Sequence, residues 1–310
     1  MFEKMKTIVR KNPVMEGMIY LIHNNLLPFV NFSGTSIEDK DVPESIEHIE
    51  SVTGTYTSKL SGHGIEISNK TILEVGPGDN LGVALKLLSL GAQKVICLDR
   101  FRCHRNETKV RAVYRELIER MAPKERERAS EAVLLTQDGY RFWSDKIEYI
   151  FGTEVERSLE ILGREIADII LSNAVLEHVY NLEETFRNLV LLLKPGGYMY
   201  HGVDLRCHNR FRGKSELFFL TLPQWLWNLM GCNIGAPNRK RIGYYRGLFE
   251  KFKLTLISES VTLEADAEEV EKSYDHLDKE FEGTSREELK VLAVGFVLRS
   301  ESNQMAKNVG

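Results

Sequence analysis

From residue 71 onward the chain repeats one pattern: a short β-branched or aliphatic run, a polar turn, then apolar residues at helical spacing. The runs are TILEVG, KVICLD, AVLLTQD, ADIILSN and GYMYHGVD. Two more, KLTLISES and KVLAVGFVLRS, come late, with no long helix between them and the chain end. The stretches between the early runs read as helices. LGVALKLLSLGA stops at Gly91, and ETKVRAVYRELIERMAPKERER is a charged helix broken at Pro123. NLEETFRNLVLLLKPGG starts at a capping Asn181 with acids in its first turn, and ends at Lys194-Pro195-Gly196-Gly197. Strands alternating with helices predict an α/β fold, with a doubly wound, mostly parallel seven-stranded sheet covered on both faces.

The pattern is weaker at the ends. Residues 1–60 predict an N-terminal helical extension, with turn chemistry at NFSGTS and VTGTY. The apolar stretch MIYLIHNNLLPFVNF is interrupted by His23, Asn24, Asn25 and Pro28. It falls short of the ~20 apolar residues that cross a bilayer, so it reads as a helix packed on the main domain. Residues 61–300 read as one domain and 301–310 as a disordered tail. Before the last two strands lies an insertion, 205–250, carrying FFLTLPQWLWNLMGCN and NRKRIGYYRGLF. It leaves the fifth strand at the carboxyl end, where open α/β sheets bind ligands, and so predicts a lid over an acceptor.

Composition narrows the class. Of 310 residues, 43% are hydrophobic and 28% charged, and the formal net charge of -4 argues against a general nucleic-acid-coating role. Cys97, Cys103, Cys207 and Cys232 are too scattered for a disulfide framework or a paired zinc motif, which suits a reduced, cytoplasmic setting. Near the N-terminus Lys4, Lys6, Arg10 and Lys11 are followed by Pro13 and Glu16, which break any signal-peptide core.

The candidate chemistry lies at the ends of the strands. TILEV opens into Gly76-x-Gly78-x-x-x-Gly82, with leucine at 81, so the dinucleotide fingerprint is not met. Glu74 sits two residues before Gly76. KVICLD ends at Asp99, AVLLTQDG at Asp138 and Gly139, and ADIILSN at Asn173, running on into Glu177 and His178. LLLKPGGYMY follows. In this order the motifs, over roughly residues 70–204, resemble the class I S-adenosylmethionine-dependent methyltransferases of the small-molecule type. The resemblance implies their Rossmann-like fold, S-adenosylmethionine as cofactor and S-adenosylhomocysteine as product. It implies cofactor contacts from Glu74, Gly76, Gly78, Asp99, Arg100, Asp138, Gly139 and Asn173, with Asp99 on the ribose hydroxyls and Asp138 on the adenine amino group.

A sulfonium methyl is already activated, so alignment of nucleophile, carbon and sulfur can supply ~7–11 kcal/mol. A general base typically adds ~10²–10⁴-fold. His178, His201 and Asp204 are the expected catalytic residues, with His208 a further base candidate. Glu177 and His178 could share a metal, but the further acid that some metal-using relatives carry three residues earlier is Ala174 here, so no metal is expected. Cys103-His104 and Cys207-His208 are set aside as zinc pairs, because adjacent side chains point apart. Arg206, Arg210, Arg212, Lys214, Arg239, Lys240, Arg241 and Arg246, interleaved with Trp225, Trp227, Tyr244 and Tyr245, suit an anionic acceptor with an apolar or sugar portion. The expected acceptor is a small molecule, sugar or glycolipid methylated on oxygen or nitrogen, with nucleic acid not expected as a partner. An RNA methyltransferase and a non-catalytic methyltransferase-like binding protein are the alternatives, and a homodimer stays open.

Overall fold

The computed structural model describes residues 40–101, 106–208, 211, 213–231 and 237–301, together with 14, 15 and 18. NFSGTS, most of MIYLIHNNLLPFVNF, Cys103-His104, Arg210, Arg212 and Cys232 lie outside the described residues, as does the tail after Glu301.

The chain order is α1 (Val42–Ser61), β1 (Thr71–Val75), α2 (Gly82–Ser89), β2 (Lys94–Asp99), α3 (Glu107–Arg120), α4 (Pro123–Ala132), β3 (Val133–Leu135), β4 (Tyr140–Phe142) and β5 (Ile147–Phe151). It continues with α5 (Leu159–Leu162), β6 (Ala167–Asn173), α6 (Leu182–Leu192), β7 (Leu193–Asp204), α7 (Gln224–Gly231), α8 (Ile242–Lys251), β8 (Leu254–Glu264), α9 (Ala267–Tyr274), α10 (Arg286–Lys290) and β9 (Val291–Ser300). Seven strands form one sheet in the order β5-β2-β1-β6-β7-β9-β8. Pairing is parallel from β5 to β7, and β9 runs antiparallel to both its neighbours.

Successive strand residues point to opposite faces, and two cores result. Ile72, Val95, Cys97, Ile169 and Leu171 pack under α1 to α4. Leu73, Ile96, Leu98 and Ile170 pack under α6 and α8. Burial on both faces is why these strands read as continuous apolar runs rather than alternating ones.

The structure departs from the sequence expectation at three places. VTGTY is not a turn but the middle of α1. Thr55 and Thr57 donate their hydroxyls to the carbonyls of Ser51 and Thr53, and Ile46, Ile49, Thr53, Tyr56 and Leu60 form a buried stripe that keeps the segment helical. A capping box between Asp41 and Glu44 starts this helix.

AVLLTQD is not the third strand of the main sheet. Only Val133–Leu135 is extended, and it pairs with β4 in a separate hairpin. Beside β2 lies β5, whose IEYIF pairs Ile150 with Leu98 and Phe151 with Asp99. The hairpin packs instead on α3, where the Tyr114 ring meets Tyr140 at 5.0 Å and Phe142 at 5.3 Å.

The segment 205–250 does not form one unit. Its last helix, α8, lies in the second core through Tyr245, Leu248 and Phe249. The earlier part packs with the segment between β8 and β9 in a third core containing Leu217, Phe219, Trp227, Phe281 and Leu289.

Candidate functional site

The carboxyl ends of β2, β1, β6 and β7 lie side by side, so residues far apart in sequence share one edge of the sheet. The glycine turn after β1 is the centre of that edge. Gly76 has φ +70°, and a Cβ there would lie 2.4 Å from Val175, so only glycine fits. Gly78 has φ +75°, but nothing lies within 4 Å of where its Cβ would be. The first glycine is thus fixed by the protein, and the second opens a backbone cradle to a ligand.

Two amides at the end of the turn are engaged. The Tyr114 hydroxyl accepts from the Leu81 amide at 2.8 Å, and Asn80 Oδ1 accepts from the Gly82 amide at 2.8 Å. With these two taken, fewer amides are left at the helix start for a phosphate. Gly82 is held against α1, since a Cβ would meet Ile49 at 2.2 Å. Glu74 is buried below the turn and accepts a long bond from the Cys97 thiol at 3.7 Å. Burial pushes its carboxyl up to about 7.

At the tip of β2, Asp99 is buried and accepts from the Phe101 amide at 2.9 Å. Arg100 turns outward, with Nε 3.0 Å from Glu154 and its guanidinium 5.2 Å from the Phe101 ring centroid. Between the ends of β2 and β5 lies a pocket of about 290 Å³, lined by Arg100, Phe101, Gly152, Thr153, Glu154 and Ile161 among others. Asp138 and Gly139 do not reach this edge through the sheet. They form the turn of the β3–β4 hairpin, where the Asp138 side chain is exposed. The residues that follow the strand beside β2 are Gly152-Thr153-Glu154. Sequence reading missed them because IEYIF is short and half-buried, although the glycine after it marked a strand end.

The tips of β6 and β7 carry a different chemistry. Asn173 lies opposite Gly202, and a Cβ on that glycine would meet Asn173 Oδ1 at 2.6 Å. Ala174 follows at φ +55°, an uncommon conformation for a non-glycine residue. The next turn, Leu176–His178, carries Glu177, which is 1% exposed. Neither of its carboxyl oxygens has a completed hydrogen bond, although the amides of Glu177 and Asp204 face it. Burial pushes this carboxyl up to about 8, and the nearby Asp204 adds to the rise.

Asp204 ends β7 in a two-pronged pair with Arg206, whose Nε lies 2.9 Å from Oδ1 and Nη2 2.6 Å from Oδ2. Burial raises its pKa, but the hydrogen bonds and charge of Arg206 together with the His208 charge outweigh it, leaving the carboxyl below its ordinary value. His208, at φ +57°, brings Nε2 within 3.7 Å of Asp204 Oδ2 and 4.0 Å of Glu177 Oε1. The His178 and His208 rings meet edge to face at 5.0 Å. Asn238 clamps the turn from the insertion side. Its amide nitrogen donates to the carbonyls of Leu176 at 2.8 Å and Val179 at 2.7 Å.

His201 is corrected by this geometry. It lies three residues before the end of β7, fully buried, with Nδ1 2.7 Å from Ser172 Oγ and its ring 5.8 Å from Phe186. Burial pushes its pKa down to about 3, so it is a neutral imidazole turned into the core. The arginines are corrected as well. Arg239 is buried and donates to the carbonyls of Phe219 and Leu222 and to Glu280. Arg241 is buried and donates to the carbonyls of Leu205, Leu289 and Val291. Lys240 pairs with Glu280 and Arg246 with Glu259. Arg239, Lys240 and Arg241 hold the two inserted segments together, Arg246 ties α8 to β8, and an anionic acceptor finds no support in these four.

Comparison with known proteins follows the same lines. The sequence profile of the methyltransferase-domain family matches residues 46–259, more than half of the chain. The chain belongs to the methyltransferase-domain family. It is therefore an enzyme, and membership implies S-adenosylmethionine as its cofactor. The open cradle at Gly78 and the buried Asp99 fit that cofactor.

No curated protein matches this methyltransferase. Among solved structures it is similar to an S-adenosylmethionine-dependent methyltransferase from Mesorhizobium loti, with 12% identity, 81% of this chain and 99% of the other covered, and a TM-score of 0.45. It is also similar to a protein from Methanosarcina mazei described as a SAM-dependent methyltransferase, with 15% identity, 78% and 97% covered, and a TM-score of 0.44. Scores at this level carry no substrate across. Among the described residues no helix is long and apolar enough to cross a membrane.

Proposed function

We propose that this methyltransferase transfers a methyl group to an oxygen or nitrogen of a small-molecule, sugar or glycolipid-type acceptor. The observation that carries the reading is the meeting of Glu177, His178, Asp204 and His208 at the edge next to the glycine turn, through the Gly76–Val175 contact. S-adenosylmethionine supplies the electrophilic methyl when bound.

On this reading Gly76 and Gly78 let the backbone approach the methionine and ribose portion, and Asp99 accepts from the ribose hydroxyls. The adenine lies in the pocket beside Phe101 and Gly152–Glu154, rather than against Asp138. Glu74 and Asn173 brace the turn and the neighbouring strand tip. The residue that takes the acceptor's proton belongs to the cluster at Glu177, His178, Asp204 and His208. His201 has no part in the transfer. The segment 205–241, with α9 and α10 behind it, forms the acceptor lid, and 61–300 is the catalytic domain. Trp225 and Leu229, one turn apart on α7 and both at least half exposed, suit an acceptor with an apolar portion.

The test is transfer of labelled methyl from S-adenosylmethionine into fractionated cell extract, with Asp99→Ala as the control. Label in a small-molecule, saccharide or lipid-linked fraction is the expected result. Label that disappears with ribonuclease would replace this reading with methylation of RNA.

A further inference from the structure

The cluster beyond β6 and β7 holds more buried carboxyl oxygens than its hydrogen bonds account for. Glu177 is 1% exposed, and neither carboxyl oxygen completes a hydrogen bond among the described residues. Asp204 stands next to it, and the guanidinium at hand, Arg206, is already committed to Asp204 in two-pronged geometry. A buried carboxylate without a compensating group is costly. The two imidazoles nearby are His178 and His208, and one ligand atom each from Glu177, His178 and His208 lies within 4.8 Å of the other two.

We propose that Glu177, His178 and His208 bind one divalent first-row transition-metal cation. Ligand atoms around one such ion, at ~2.0–2.2 Å from it, lie at most about 4.4 Å apart, so modest rotations of the side chains close the set. Nε2 of His208 is already 4.0 Å from Glu177 Oε1. Two imidazoles and a carboxylate suit zinc, iron, cobalt or manganese better than magnesium or calcium, which prefer all-oxygen shells. Asp204, with Oδ2 3.7 Å from the same His208 nitrogen, adds negative charge around the ion.

The sequence hides this site. Glu177 and His178 are adjacent, so they suggest only part of a ligand set, and the position three residues before Glu177 is Ala174. The missing ligand comes instead from His208, thirty residues on, because β7 returns parallel to β6 and delivers its far end to the same edge. Three protein ligands leave positions open on a four- to six-coordinate ion. On the methyl-transfer reading, an acceptor oxygen can take one of them, and only this last statement depends on that reading.

Metal binding can be measured without any acceptor. The full chain is stripped with chelator and titrated with Co²⁺, followed by its visible d–d absorption and by equilibrium dialysis. One equivalent is expected to bind, with affinity at least tenfold weaker in Glu177→Gln and in His208→Asn, which keeps a side chain tolerant of positive φ. Calorimetric binding of S-adenosylmethionine within twofold of the wild type shows that each variant is folded. Absence of Co²⁺, Zn²⁺ and Mn²⁺ uptake at millimolar metal overturns the site. So does Co²⁺ affinity unchanged in both variants. Failure of either kind leaves the methyl-transfer reading intact, because that reading is tested through Asp99 and labelled product.

Discussion

The two halves of the site are built on opposite principles. On the cofactor side, around β1, β2 and β5, the important residues come from short local stretches. The glycine turn is fixed by contacts with Val175 and Ile49, and two of its amides are engaged by Asn80 and Tyr114. On the acceptor side, around β6 and β7, the parts come from 173–178, 204–208 and 238. Two non-glycine residues there, Ala174 and His208, adopt positive φ, and a buried carboxyl lacks a completed hydrogen bond. A rigid, satisfied half suits a ligand that is always the same. Unsatisfied polar groups and strained backbone are what a functional surface keeps for a ligand that completes it.

The comparison predicts that damage to the acceptor half leaves the cofactor half working. The largest effect is expected at the staple between the inserted segments. Arg241→Met removes the donors to the carbonyls of Leu205, Leu289 and Val291 and leaves those groups buried. A loss of roughly 3–5 kcal/mol in urea unfolding is expected, by analogy with breaking a buried charged contact. A loss below about 1 kcal/mol would mean that water already reaches these carbonyls.

Next comes Asp204→Ala. It frees Arg206 and disturbs His208, and single-turnover transfer is expected to slow by ~10²-fold or more. Transfer at the wild-type rate would remove Asp204 from the acceptor side.

A smaller and pH-dependent effect belongs to His201. Its folded pKa, about 3, lies below the unfolded value near 6.5. Between these values the unfolded chain binds more protons, so stability falls as pH drops below 6.5 and the neutral form is fully retained above it. By pH 5 the cost is about 2 kcal/mol. His201→Asn should lose that slope, seen as a shrinking stability difference from wild type as pH falls from 7 to 5, in ~unit steps. A constant difference over this range would show that the imidazole is not held neutral.

The least effect is expected at Asp138→Ala, on the hairpin turn. Cofactor affinity should change by less than about twofold, well under the ~1.4 kcal/mol that marks a tenfold change. A tenfold loss would return Asp138 to the adenine.

The same division explains what the sequence revealed. The places of Glu74, Gly76, Gly78 and Asp99 in the fold were legible because a strand end, a turn and a strand tip each lie within a few residues, and their local patterns survive without tertiary context. The seven-stranded sheet was legible for the same reason, since runs buried on both faces are continuously apolar. AVLLTQD misled because a three-residue hairpin strand has the same β-branched composition as a core strand, and only pairing distinguishes them. His201 misled because strand length, not residue type, decides whether a side chain sits at the tip or in the core. Arg239 and Arg241 read as anion binders because sequence cannot show that their partners are main-chain carbonyls from Leu205, Phe219 and Leu289. His208 was visible as a base candidate, but its place beside Glu177 and His178 depends on the register of β6 and β7.

The most direct test of the divided site is calorimetric titration of S-adenosylmethionine into Asp99→Ala and Asp204→Ala side by side. The account predicts at least tenfold weaker binding in Asp99→Ala, about 1.4 kcal/mol, and wild-type binding in Asp204→Ala. Equal affinity in Asp99→Ala and the wild type, or a matching loss in both variants, would contradict it.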